Sequence, residues 1–330
     1  MTLSRVRLDA LGIETSALGF GCASLGSRIS PEAGIAALSR AYDAGVTWFD
    51  VAPSYGDGQA ENLLGRFLAG QNRENVQVLT KVGIAPPATT LKARLLRPAM
   101  RAAVKVMPRI RTTVRRRRPT AIKLPIDAAL IAQSLDASLR RLGTHYVDVL
   151  ALHDASPQEA TRDDVQRALE TAVASGKAKA AAIASSPEAA AAGIAACDIY
   201  RLVQMGNNLL EPGLERFREA SGRQVAVVTH SVFGNENATR QLVTRIEGDT
   251  EVRAALTMAG YQGPAQRVAT NLLADFAFAT NRGGVIVVSM FKEHHLRNIL
   301  ARHALAADEG IVRALAAKFG KHHDRLCSAL

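Results

Sequence analysis

A chain of 330 residues with 48% hydrophobic side chains has enough apolar material for one barrel-sized domain or two medium ones. It has no uncharged apolar run of spanning length, no h-region or cleavage site at its start, and three cysteines (Cys22, Cys197, Cys327) without metal-like spacing; a membrane span, a secretory leader and a disulfide frame are not expected, and the location reads as cytoplasmic. The net charge of +11 is local, because residues 84–126 hold twelve of the 41 Lys and Arg and none of the 30 Asp and Glu, leaving 29 basic against 30 acidic residues elsewhere; nucleic acid is not an expected partner.

Residues 6–8 and 13–16 flank Asp9-Ala10-Leu11-Gly12 and read as a short hairpin. A strand is expected over 17–21. Ser30 and Pro31 then open a helix as N-cap and first helical residue, and Gly45 ends it. The β-branched and aromatic run 46–49 is a strand that stops at Asp50. Pro53 and Gly56 force a loop that carries Tyr55. An acid at a strand end and a phenol five residues on can point into one cleft, as barrel enzymes present their chemistry. Taken alone, the same residues read equally well as a helix cap and a rim-packed ring. A helix over 59–69 is stopped by Gly70, and the strand 76–81 ends in Lys81.

The rhythm then breaks. About forty residues separate Lys81 from the next clear helix, 127–142, where a connection of a few residues is usual. Within them Leu91, Leu95, Ala99, Ala103, Met107, Ile110 and Val114 recur every three or four positions, with Lys and Arg on the other faces. Two short basic amphipathic helices, broken near Pro98 and Pro108, are expected, followed by the run Arg115 to Arg118. A solvated lid or loop is preferred here over a site for an anionic surface or acidic partner.

Alternation resumes with a strand over 147–152 that ends in His153. Helices are expected over 163–175, 187–196, 211–220, 265–280 and 292–302, and strands over 180–184, 202–205, 225–229 and 285–288. The stretch 231–263 is expected to cover a cofactor or substrate, and 308–319 adds a helix outside the repeat. Strand–helix alternation throughout argues for parallel strands.

Asp50, Tyr55, Lys81 and His153, spread over three strand ends, resemble the catalytic tetrad of the aldo-keto reductase family. The local sequence matches too: Phe49-Asp50, Ser54-Tyr55-Gly56, Thr80-Lys81 and Leu152-His153. The resemblance covers the chain from about Val6 to about Ala304. It implies a single (β/α)8 barrel domain over 1–330 (a TIM barrel) whose bottom is plugged by the hairpin. It also implies a nicotinamide cofactor, NADP(H) ahead of NAD(H), and a carbonyl substrate such as an aldehyde, ketone or sugar. Under it, Tyr55 is the general acid/base, and Lys81 is expected to lower a phenol pKa that is ordinarily near ~10. Asp50 would hold Lys81 charged, and His153 would orient the substrate oxygen.

The cofactor positions match less closely. Ser185 stands where a Ser-Asn pair often holds the carboxamide, and Gln204, ending the sixth barrel strand, should reach the same amide. His230 replaces the usual tyrosine ring, Ser231 could bond the pyrophosphate, and Ser289 and Asn298 match the adenosine segment. Val288 stands where a basic residue often precedes that Ser, with Lys292, His294 or Arg297 as substitutes. No GxGxxG fingerprint is present and no metal is required. Two further readings stay open: a cofactor-binding regulatory barrel that uses the insert to bind a partner, and a membrane-peripheral enzyme.

Overall fold

The computed structural model of the protein describes residues 3–86, 121–234 and 236–320. The basic amphipathic helices expected between Leu91 and Val114 lie outside the described residues. Among the described residues, no helix is long and apolar enough to cross a membrane.

The chain opens with an antiparallel hairpin, β1 (Arg5–Leu8) and β2 (Ile13–Ser16). The alternation follows: β3 (Leu18–Gly21), α1 (Pro31–Asp43), β4 (Trp48–Asp50), α2 (Ala60–Leu68) and β5 (Gln77–Val82). Ser30 accepts the Ala33 N–H and so starts α1 where the sequence indicates. A two-residue antiparallel pair, β6 (Ile84–Ala85) with β7 (Ile122–Lys123), joins the two ends of the insert, so it leaves and re-enters the fold at one stem. Next come α3 (Ala128–Leu142), β8 (Val147–His153), α4 (Pro157–Ala160), α5 (Asp163–Ala174), β9 (Ala178–Ala184), α6 (Pro187–Ala196), β10 (Tyr200–Gly206), α7 (Gly213–Ala220) and β11 (Ala226–His230). The chain continues through α8 (Glu236–Gly248), α9 (Thr250–Met258), α10 (Ala265–Thr280), β12 (Val285–Val288), α11 (Glu293–Leu305) and α12 (Glu309–Gly320).

Eight parallel strands close into a barrel in the order β3-β4-β5-β8-β9-β10-β11-β12, with β12 returning to pair with β3. This is the (β/α)8 fold. One apolar layer fills the inside and another lies between strands and helices. Trp48 dominates the inside, fully buried, with Ala151, Ala182, Ala184 and Ala226 from other strands in the same cluster. A large ring facing small side chains keeps the filling near native packing density. On the neighbouring strand Gly19 is required, since a Cβ there would come 2.8 Å from the indole. Val6 and Leu8 of the hairpin join this inner cluster and close the barrel from below.

The stretch 231–263, expected as a covering segment, contains two helices. Leu242 and Ile246 of α8 and Val252 and Leu256 of α9 pack with α10 and α12 into a separate apolar cluster. Their i, i+4 spacing and the Asp249 N-cap are helix signals present in the sequence.

Candidate active site

In a parallel barrel every second residue of a strand faces inward, and the last inward residue of each strand reaches the mouth. Counting up from Trp48 on β4 brings Asp50 to the mouth. From Leu79 on β5 the next inward residue is Lys81, and from Ala151 on β8 it is His153. Gln204 and His230 reach the same end from Leu202 on β10 and Val228 on β11. Tyr55 comes from the loop after β4. Gly56 follows it at φ +60, and a Cβ there would come 1.7 Å from the Leu25 carbonyl oxygen, so only glycine lets the loop turn this tightly.

Lys81 is 2% exposed. Its ammonium donates to Asp50 Oδ1, to Tyr55 Oη at 3.1 Å and more weakly to the Val51 carbonyl at 3.4 Å. All three donors of the ammonium thus have acceptors, and the Tyr55 hydroxyl keeps its own proton available. Gln204 Nε2 donates to the same Asp50 oxygen at 3.1 Å. The His153 ring stands edge-on to the Tyr55 ring, centroids 5.9 Å apart, and its buried Nδ1 has no hydrogen-bond partner among the described residues.

The electrostatics correct one expectation. Burial raises the Tyr55 pKa above its ordinary value, although Lys81 pulls it down. The phenolate would lose its water, and the nearby Asp50 charge opposes part of what the ammonium offers. Tyr55 therefore holds its proton at neutral pH. For Lys81, burial alone would lower the pKa, but Asp50 and Tyr55 outweigh it and the net shift is upward. His153 is pushed down to about 3 by burial, then by Lys81 and His230, so it is a neutral imidazole near pH 7. His230 is pushed down to about 4 by burial, with Asp50 raising it and Lys81 lowering it by less.

The remaining expected positions divide. His230 Nδ1 lies 2.8 Å from Ser231 Oγ, and Ser231 has a left-handed backbone, φ 58. Ser185 is beside Gln204, its N–H donating to the Gln204 carbonyl at 3.1 Å and its hydroxyl to the Ala155 carbonyl at 2.6 Å. Ser289 donates to the Gly21 carbonyl at 3.1 Å and ties the end of β12 to β3. Asn298 is exposed in the second turn of α11, near Lys292, His294 and Arg297, which are also exposed. Val288 is buried in the outer core and turned away from the barrel interior.

Three features of the site escaped the sequence reading. Cys22 lies just beyond β3, fully buried, where burial and then Asp50 push its thiol up while Lys81 acts the other way. Behind Lys81, the Thr80 hydroxyl donates to buried Glu61 at 2.7 Å, and Arg141 donates to the other Glu61 oxygen at 2.6 Å, clamping α2, α3 and β5 together. The Gln204–Asp50 bond joins residues 154 positions apart, and no local pattern announces it.

Residues 17–315 match the sequence model of the Aldo/keto reductase family. Among curated relatives, a D-threo-aldose 1-dehydrogenase of Pseudomonas sp is 31% identical over 180 residues, which are 49% of this chain and 46% of that protein. The chain spans less than half the length of the curated relatives it matches. Among solved structures, an aldo-keto reductase from Klebsiella pneumoniae in complex with NADPH superposes with a TM-score of 0.66 at 19% identity, covering 96% of this chain and 94% of that one. A holo aldo-keto reductase from Bacillus halodurans gives 0.67 at 19% identity, covering 95% and 96%.

Proposed function

The chain belongs to the aldo/keto reductase family, and on that premise we propose that it is an NAD(P)H-dependent oxidoreductase that interconverts a carbonyl and an alcohol, with Tyr55 as the general acid/base. The substrate class is an aldehyde, ketone or sugar. NADP(H) is the cofactor we assign ahead of NAD(H). The observation that carries the reading is the Tyr55 hydroxyl 3.1 Å from a buried ammonium, at the barrel end where Asp50 and His153 also converge.

The residues of the mouth fit a nicotinamide. Gln204 Oε1 is a buried acceptor without a donor among the described residues, the Ser185 N–H bonds the Gln204 main-chain carbonyl, and the His230 ring offers a flat face. Ser231, Ser289 and Asn298 are the residues we assign to the pyrophosphate and adenosine portions. With Val288 buried in the outer core, Lys292, at the N-cap of α11, is the cation we assign to a 2′-phosphate ahead of His294 and Arg297, and the helix N-terminus adds to it. When bound, the nicotinamide supplies the hydride to the carbonyl carbon.

The chain's own residues do the rest. Neutral His153 can donate one ring N–H to the carbonyl oxygen and hold it near Tyr55. Tyr55 passes its phenolic proton to that oxygen as negative charge develops there. The tyrosinate left behind lies against the Lys81 ammonium, which burial makes more effective than it would be in water. Asp50 offsets the ammonium in the resting site. In the oxidative direction the same proton returns from the alcohol to Tyr55.

Tyr55→Phe tests the reading. Turnover of a panel of aldehydes and sugars should fall by about 10²–10⁴, while NADPH binding, followed by fluorescence of Trp48, the only tryptophan, should persist. Turnover unchanged in Tyr55→Phe would sink the assignment of the acid. Binding of NADH in preference to NADPH would overturn the cofactor choice.

A further inference from the structure

The ladder between β4 and β5 stops short of the barrel mouth. Its register ends at Asp50 opposite Leu79, and one more main-chain bond runs from the Val51 N–H to the Leu79 carbonyl at 2.9 Å. Thr80, Lys81 and Val82 run on beside β8 with no β4 residue in register. On that open side the chain from β4 turns into the loop of Tyr55 and then into α2. Tyr55 and Lys81 nonetheless meet at 3.1 Å, a distance that a lysine's long flexible stem does not fix by itself. Glu61 bridges the gap. It stands in the first turn of α2 and is 1% exposed. Its Oε1 accepts the hydroxyl proton of Thr80 at 2.7 Å, and Thr80, fully buried on the outer face of β5, is the residue before Lys81. Its Oε2 accepts from Arg141 Nε at 2.6 Å, and Arg141 Nη2 donates in turn to Ser138 Oγ at 3.1 Å. Each carboxylate oxygen has its own donor from a different element, so the carboxylate cannot turn.

We propose that Glu61 is a positioning residue for the reaction: through Thr80 it fixes the free end of β5 against the segment that carries Tyr55, and so sets the Lys81–Tyr55 contact. The inference rests on the Tyr55 reading above and deepens it. Apolar side chains would be enough to pack α2 on the barrel, and a buried ion pair adds little net stability over them. A hydroxyl bonded to a carboxylate adds direction, because such a bond is short, strong and tied to one geometry. Glu61 touches neither substrate nor cofactor in this arrangement. It acts through Thr80 on Lys81, and Arg141 holds it in place from α3.

The test reads the chemical step, as the single-turnover rate of carbonyl reduction by the NADPH-loaded protein with an aldehyde or sugar that the wild type turns over. Thr80→Val keeps nearly the same shape and removes the hydroxyl. Its rate should fall about ten- to a hundredfold, with the NADPH Kd within about threefold of the wild type. Thr80→Ser restores the hydroxyl and should recover most of the rate. In a Tyr55→Phe background, Thr80→Val should cause no further loss, because the contact it disturbs is already gone. A clamp that serves stability alone would show none of this pattern. A wild-type rate in Thr80→Val would overturn the inference, as would a Thr80→Ser rate no better than that of Thr80→Val, or a full additional loss in the Tyr55→Phe background. Should Thr80→Val not fold, Glu61→Met spares Thr80 and leaves partly exposed Arg141 free to reach water. It should show the same loss of rate, and a wild-type rate there would equally overturn the inference. Turnover unchanged in Tyr55→Phe alone would sink the underlying reading of the acid, whereas loss in Tyr55→Phe with none in Thr80→Val would sink only the role of Glu61.

Discussion

Among the described residues, the barrel mouth and the α10–α11 joint each group an aspartate, a cation and a tyrosine, and the two are wired in opposite directions. In the barrel mouth, Lys81 donates to both Asp50 and Tyr55. Between α10 and α11, Arg302 grips Asp275 through two nitrogens, and Tyr261 donates its hydroxyl proton to the same carboxylate at 2.6 Å. Both phenols are raised in pKa, burial first in each case, but for Tyr261 the hydrogen bond to Asp275 adds to the rise, whereas for Tyr55 the Lys81 charge works against it. The Tyr261 proton is committed to a partner inside the protein. The Tyr55 proton is not. A guanidinium fork saturates a carboxylate and builds a rigid joint, while a lysine spreads three separate donors and can support a phenol that gives its proton away.

The contrast can be broken most directly by removing each cation. Lys81→Met and Arg302→Met each leave a buried carboxylate uncompensated, and each should cost about 3–5 kcal/mol in denaturant unfolding. Only Lys81→Met should abolish turnover. Loss of turnover in folded Arg302→Met would show that the two groupings are not separate in function.

Tyr261→Phe sharpens the same contrast. It removes one hydrogen bond to a charged acceptor and should cost about 1.5–3 kcal/mol with turnover unchanged, the mirror image of Tyr55→Phe, where turnover collapses and stability moves little. Thermal melts alongside initial rates would separate the two outcomes.

The pH profile of carbonyl reduction probes the uncommitted proton. The active form carries the proton on Tyr55, and its pKa lies above the ordinary 10.0. Reduction should therefore hold level through neutral pH and decline only in strong alkali, while alcohol oxidation, which needs the phenolate, should rise over the same alkaline range. A decline in reduction centred near pH 7 would contradict the burial-dominated shift.

A further effect is on stability. His153 and His230 are pushed down to about 3 and about 4 from an ordinary 6.5, so between those values the unfolded chain binds more protons than the folded one. Their neutral burial contributes stability in full above pH 6.5, and that contribution shrinks as pH falls towards 4. Unfolding free energies measured from pH 7 down to pH 4 should fall, and His153→Gln should make the slope shallower. An unchanged slope would show that His153 is not held neutral by burial.

Local chemistry in the chain is enough for much of this protein. Strand ends, helix caps and glycine stops are set by backbone sterics and by hydrogen bonds between near neighbours, so the barrel order and the four residues Asp50, Tyr55, Lys81 and His153 can be read in the linear chain. The helices α8 and α9 were not expected in the covering stretch 231–263, although the Asp249 cap and the i, i+4 pairs of Leu242 with Ile246 and Val252 with Leu256 are local signals for them. Proton affinity is different in kind. Whether Lys81 lowers the Tyr55 pKa or burial raises it depends on how much water the closed barrel removes, which is a sum over every strand at the mouth. The Gln204–Asp50 bond, the alanines that make room for Trp48 and the Arg302–Asp275–Tyr261 joint arise the same way. They exist because folding brings distant residues within a few ångströms in a medium of low polarity, where the direction of one hydrogen bond separates a structural joint from a site that can give up a proton.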